Sequence, residues 1–322
     1  MFSFLFEEDI NKILNRYKID KLGDYSLDKK NIKEFIKESD DEVKGIVRKI
    51  IKNTKYVDFK EFMRNLYKSV KDLVKKLKEK KKGLFYVYKT KDFDNKSNKW
   101  IYKYMKIMIK HLEPNIKIIL IDDKYKKIKT DDFVILPDDC IYSGSQIRNN
   151  INDIIKKFKK NINIYILCPY ISSQGISRIL YKDSEIPYDY NIFISNHINI
   201  NKYVINNFIN PEEIKIISGY YGNLQMKDII NNEDDIYYTD FSGVYLIYFN
   251  HKLADYASTI SLFYIGVVPN KYNKKIFEKR VKTGNKGKLN FQVIPLISNC
   301  IYNKSNINVN SPICPPPPYK RI

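Results

Sequence analysis

The residues with the clearest chemistry are the adjacent carboxylates Asp138 and Asp139 and the run that follows them, Tyr142, Ser143, Gly144, Ser145 and Gln146. The pair comes after an apolar run, Phe133-Val134-Ile135-Leu136, and the loop leads into a segment of helical periodicity. Strand, acidic pair, loop and helix together suit a phosphorylated polyol. A Ser/Gly loop entering a helix offers backbone N–H groups, and the positive end of the helix dipole, to a phosphate. Ser143 and Ser145 add hydroxyl donors, and Gly144 lets the backbone approach an anion with no Cβ in the way. Two carboxylates at the carboxyl end of a strand can accept from vicinal sugar hydroxyls, directly or through Mg²⁺. Ligands of open α/β sheets bind at that edge.

A site of this kind has to be held by a parallel sheet, and the flanking sequence reads as one. Aromatic and β-branched residues over 84–88 predict a buried strand, and a helix follows over 99–112, with Ser97 as its N-cap candidate. Strands at 116–121 and 133–136, a helix at 146–160 and a strand at 162–168 continue the alternation. The expected class is α/β, a mainly parallel sheet with flanking helices, preceded by an N-terminal helical region. We divide the chain into a helical region at 1–82, an α/β domain at 83–263 with an irregular insertion or hood at 170–240, and a basic loop with a Pro-rich tail at 264–322. Residues 58–82 predict one long helix ending at Gly83, helical pieces are expected near 173–181, 211–217 and 252–263, and 244–249 predicts the last strand of the domain.

The pattern from Phe133 to Gly144 resembles the phosphoribosyl-diphosphate (PRPP) motif of the type I phosphoribosyltransferase fold: apolar strand, acidic pair, two further residues, hydroxyl- and glycine-rich loop. The resemblance implies that Asp138 and Asp139 are the catalytic pair, lying on the ribose 2′- and 3′-hydroxyls and holding Mg²⁺ with the ligand. It implies that Tyr142, Ser143, Gly144, Ser145 and Gln146 hold the 5′-phosphate. A second loop, after the first strand, would hold pyrophosphate; here Lys89, Lys96, Ser97 and Lys99 occupy it, without the small Gly-containing pattern many members have. The resemblance covers 83–170, extends toward 250, and leaves 1–82 and the tail outside.

The remaining features concern partners. Lys+Arg number 57 against 37 Asp+Glu, a net charge of +20 that calls for an anionic partner. Residues 271–288, with Lys271, Lys274, Lys275, Lys279, Arg280, Lys282, Lys286 and Lys288, are the candidate nucleic-acid surface. His251 is a candidate general base or base-recognition group, and Lys252 a candidate phosphate contact. Pro316-Pro317-Pro318-Tyr319 satisfies the pattern read by WW domains. No apolar stretch reaches the ~18 residues of a membrane span, no secretory signal is recognisable, and four scattered cysteines read as reduced thiols, so an intracellular, cytoplasmic protein is expected. Heavy use of Lys, Ile, Asn and Tyr suggests AT-rich coding, as in some large DNA viruses, so a virion location also enters. Three functional readings follow: PRPP-dependent phosphoribosyl transfer to an unidentified base; a protein of the same fold that binds a nucleotide or ribose phosphate without turnover; and a basic nucleic-acid-binding or virion-associated structural protein.

Overall fold

A computed structural model of the chain describes residues 29–39, 41–79, 85–90, 93, 97–122, 128–129, 132–158, 162–180, 190–222, 245–249, 267–269 and 291–293. The expectations for Lys96, His251, Lys252, the 252–263 helix, the basic run 271–288 and Pro316 to Tyr319 fall outside these residues.

Apolar residues at three- and four-residue steps form the first helices: α1 (Lys29–Glu38) buries Phe35, and α2 (Asp41–Asn53) buries Val43, Ile46, Val47 and Ile50. A short strand, β1 (Lys55–Val57), precedes α3 (Phe59–Glu79), whose buried stripe is Phe62, Met63, Leu66, Val70, Leu73 and Leu77. The alternation then runs β2 (Phe85–Tyr88), α4 (Ser97–Leu112), β3 (Ile118–Ile121), β4 (Phe133–Pro137), α5 (Ser145–Phe158) and β5 (Ile162–Leu167). It is followed by β6 (Tyr170–Ile171), α6 (Ser173–Leu180), β7 (Tyr190–Ile194), β8 (Ile198–Asn199), α7 (Pro211–Gly222), β9 (Ile247–Phe249), β10 (Val267–Pro269) and β11 (Phe291–Val293).

The chain divides into two compact units, one of Met1–Asp20 with Lys60–Asn201, the other of Lys21–Phe59 with Lys202–Ile322. The first unit holds a five-stranded sheet in the order β3-β2-β4-β5-β7, parallel at every pairing. β2, β4 and β5 are buried along their whole length, as parallel strands covered on both faces must be. Side chains alternate between the faces. Tyr86, Val134, Leu136, Ile164 and Ile166 pack in one cluster with Ile147, Ile151, Ile154 and Ile155 of α5. On the opposite face, the Tyr165 hydroxyl donates to Asp72 Oδ2 of α3 at 2.8 Å. Phe62 of α3 lies 5.4 Å, ring to ring, from Trp100 of α4, so α3 and α4 share that side. Two more links tie α3 down: Asn65 Nδ2 donates to the Tyr170 hydroxyl at 2.7 Å, and Ser69 Oγ to the Asn196 carbonyl at 2.5 Å. The result is the α/β class expected, a parallel sheet with helices on both faces.

Three placements differ from the sequence reading. The long helix α3 belongs to the layered unit with the sheet rather than to a separate helical region. The fifth strand is β7, inside the stretch read as irregular. It is an edge strand of only five residues, interrupted by the exposed Asn191, and its alternation is too short to register. The strand expected at 244–249 forms over Ile247–Phe249 but does not join that sheet; it pairs in parallel with β1, Lys55 opposite Ile247 and Val57 opposite Phe249.

In the second unit, α7 opens on a reciprocal cap. Asn210 Oδ1 accepts the Glu213 N–H at 2.8 Å, Glu213 Oε2 accepts the Asn210 N–H at 3.2 Å, and Pro211 takes the first helical position. β10 and β11 pair antiparallel, Val267 opposite Val293, in the tail that showed few regular periods.

Candidate functional site

The order of the sheet sets the position of the site. The chain runs from β2 outward to β3, then returns past β2 to β4 and continues to β5 and β7. The carboxyl ends of β2 and β4 therefore flank the point where the strand order reverses, the crevice where open α/β sheets take their ligands. Lys89 and Thr90 follow β2, and Asp138 and Asp139 follow β4.

The acidic pair is built into its own loop. The Asp138 N–H donates to the Leu167 carbonyl at 2.9 Å, carrying the ladder with β5 one residue past the strand. Asp138 Oδ1 then accepts the Asp139 N–H at 2.9 Å, and Asp139 Oδ1 accepts the Cys140 N–H at 3.0 Å. These local bonds satisfy backbone groups that the sheet no longer pairs. Both side chains are buried, Asp138 7% exposed and Asp139 1%, so Asp138 is the more accessible of the two. Ser97, in the first turn of α4, donates from Oγ to Asp138 Oδ1 at 3.3 Å, which brings the loop after β2 to the acidic pair.

The hydroxyl loop is anchored from the far side. Ile141 bridges to Ile171, with the Ile141 N–H on the Tyr170 carbonyl at 2.9 Å and the Ser172 N–H on the Ile141 carbonyl at 3.0 Å. Ser172 caps α6, its Oγ accepting the Gly175 N–H at 2.8 Å, and the same hydroxyl donates to the Tyr142 carbonyl. Gly144 has φ +74°. Its carbonyl accepts the Arg148 N–H at 2.9 Å, the first bond of α5, so the loop does deliver the chain to a helix N-terminus. Ser143 Oγ lies 3.4 Å from Ser145 Oγ; Tyr142 is half-buried and Gln146 is exposed.

The reason for a glycine at 144 needs correcting. A Cβ there would lie 2.8 Å from the Gly175 carbonyl oxygen, 3.1 Å from Gly175 Cα and 3.2 Å from Arg178 Cβ. The space is taken by the backbone of α6 rather than kept for an anion. Gly175 answers in kind: a Cβ on it would meet Ile141 Cγ2 at 2.9 Å and the Tyr142 carbonyl at 3.1 Å. The loop and the α6 helix pack backbone against backbone, and the positive φ of Gly144 is a conformation that L side chains adopt at a cost.

Of the residues assigned to the pyrophosphate loop, Ser97 reaches the acidic pair, Lys89 and Lys99 are half-buried, and the Lys89 N–H extends the β2–β3 ladder to the Ile121 carbonyl at 2.7 Å. Two residues that the sequence did not single out flank the same crevice. Asn98 is 1% exposed; its Nδ2 donates to the Pro137 carbonyl at 2.6 Å, and its Oδ1 has no hydrogen-bond partner among the described residues. Thr90 is 7% exposed, and its Oγ1 has no partner among them either. Buried polar atoms are normally paired, and these two oxygens are not paired among the described residues. Thr90 could have been found from its place at the end of β2. Asn98 carried no such signal, since a polar residue in a first helical turn is ordinary.

Cys168, just past β5, is buried against this site. Burial first, then the charge of Asp138, pushes its thiol well above the ordinary 9.0. A raised folded-state value means the contribution to stability is complete below the ordinary thiol pKa and is lost as pH rises through and beyond it. Stability should fall by up to about 1.4 kcal/mol per pH unit on the alkaline side. Thermal denaturation between about pH 8 and pH 10 checks this: Cys168→Ala should show a shallower decline than the parent, and parallel slopes would refute the assignment.

No described helix is long and apolar enough to cross a membrane. No curated protein matches the chain. The model of one family does, over residues 30–233, more than half of the chain. The match takes in α1 to α3 as well as the sheet, whereas the resemblance read from the motif began only at 83. With a parallel sheet, an acidic pair at its switch point and a glycine loop feeding α5, the chain belongs to the PRTase-CE family, a family of phosphoribosyltransferase type.

Proposed function

We propose that the crevice at the carboxyl ends of β2 and β4 binds PRPP and transfers its phosphoribosyl group to an acceptor base. The observation that carries this reading is the 3.3 Å contact between Ser97 Oγ and Asp138 Oδ1, which unites the loop after β2 with the acidic pair. Asp138 and Asp139 are then placed for the ribose hydroxyls. The loop from Tyr142 to Gln146 is placed for the 5′-phosphate, and Ser97, with Thr90 and Asn98, lies on the pyrophosphate side. The family match supports the fold and the general chemistry of this reading.

Mg²⁺ fits the donor set. Asp138 and Asp139 offer hard carboxylate oxygens of the kind the ion takes together with water and substrate phosphates. Asp138 and Asp139 would hold it together with oxygens of the ligand, and when bound it would supply charge neutralisation for pyrophosphate. The protein's share is to fix the ribose and shield an oxocarbenium-like transition state.

A second reading keeps the ligand and drops the turnover. It is favoured by Asp139, which at 1% exposure supports its own loop rather than an open pocket. Calorimetry with PRPP and Mg²⁺, paired with an assay for released pyrophosphate over a panel of bases, separates the two. Binding with release supports transfer, binding without release for any base supports the regulator, and no heat of binding removes both.

A further inference from the structure

Arg178 is a cation at the phosphate loop that no motif pointed to. It lies in the last turn of α6, is exposed, and Nη1 donates to Ser145 Oγ at 3.0 Å. No carboxylate among the described residues pairs with it. Its place beside the loop follows from the glycine contact. With no side chain on Gly144 or Gly175 the two segments meet at backbone distance, and the Arg178 Cβ stands 3.2 Å from where a Cβ on Gly144 would be.

The electrostatics of that position are informative. On its own helix, a cation in the last turn is favoured by the dipole. Arg178 nonetheless reaches across to Ser145, the first residue of α5, where the dipole is positive and a cation is disfavoured. The guanidinium stands at the helix N-terminus with one of its five N–H donors engaged by Ser145 and its side chain exposed. It is a planar fork suited to phosphate oxygens.

We propose that Arg178 is a binding residue for the terminal phosphomonoester of the ligand. It acts with Ser145 and the first amides of α5. This rests on the reading of the crevice as a phosphoribosyl site.

Isothermal titration calorimetry tests it with ribose 5-phosphate and with PRPP plus Mg²⁺, on the full chain and on Arg178→Gln and Arg178→Lys. Arg178→Gln should weaken both ligands roughly tenfold to a hundredfold, the value of one or two charge-assisted hydrogen bonds. Arg178→Lys should recover part of that, and the melting temperature should stay near the parent's because the side chain is exposed. Equal affinity of the parent and Arg178→Gln for both ligands would overturn the role of Arg178 and leave the site reading standing. A parent chain that binds neither ligand would overturn both.

Discussion

Replacing Asp138 and Asp139 together by asparagine should abolish measurable binding of PRPP and of ribose 5-phosphate while the chain stays folded. Asp138 would lose a charge-assisted bond to a sugar hydroxyl, and the loop that Asp139 supports would lose its charge, about 1.5–3 kcal/mol apiece. Together that is about two to four orders of magnitude in Kd. The fold survives because asparagine keeps a side-chain oxygen where Asp138 accepts the Asp139 N–H and Asp139 accepts the Cys140 N–H. Calorimetry beside a thermal melt reads both quantities. The single changes should differ: Asp138→Asn weakens binding directly, because Asp138 is the less buried and is joined to Ser97, whereas Asp139→Asn acts through the loop. Unchanged affinity in the double variant, with the fold intact, would remove the site assignment.

The second large effect is on stability. Gly144→Val places a β-branched residue at φ +74° and directs its side chain at the Gly175 backbone. The left-handed conformation costs about 1–2 kcal/mol for an L-residue, and forcing atoms into filled space adds about 1–3 kcal/mol. A urea titration should show a loss of about 2–5 kcal/mol, with Gly144→Ala intermediate and of the same sign. If Gly144 served only to admit an anion, the valine variant would lose ligand, and its stability would fall by no more than the about 1–2 kcal/mol of the left-handed conformation, as in Gly144→Ala. That result would overturn the packing explanation.

These two predictions also show what was legible in the sequence. The strands that carry the site are short, fully buried and rich in β-branched and aromatic residues, so 133–136 and 162–168 were readable to within a residue or two as β4 and β5. The helices announced themselves by apolar spacing, as with Ile147, Ile151, Ile154 and Ile155 in α5. The acidic pair and the loop were found because their chemistry is local, a few residues in a row. What depends on distant partners was not readable. Arg178 is an ordinary surface residue of a short helix until α6 is laid against the loop. Asn98 and Thr90 become conspicuous only when burial leaves an oxygen without a donor. The parallel pairing of β9 with β1 joins Lys55 to Ile247, far apart along the chain, and three-residue strands carry too little alternation to show which sheet they will enter.

The Gly144–Gly175 contact changes what the glycine of this motif can testify to. Because each of the two leaves room for the other's backbone, neither can be replaced alone without loss of packing, whether or not any ligand is ever bound. On the reading proposed above, a relative without phosphoribosyl transfer could change Arg178 and would still be held to glycine at both positions. A glycine at this point of the loop is therefore a mark of architecture, and it says nothing for or against the proposed activity, which rests on the two carboxylates and the arginine.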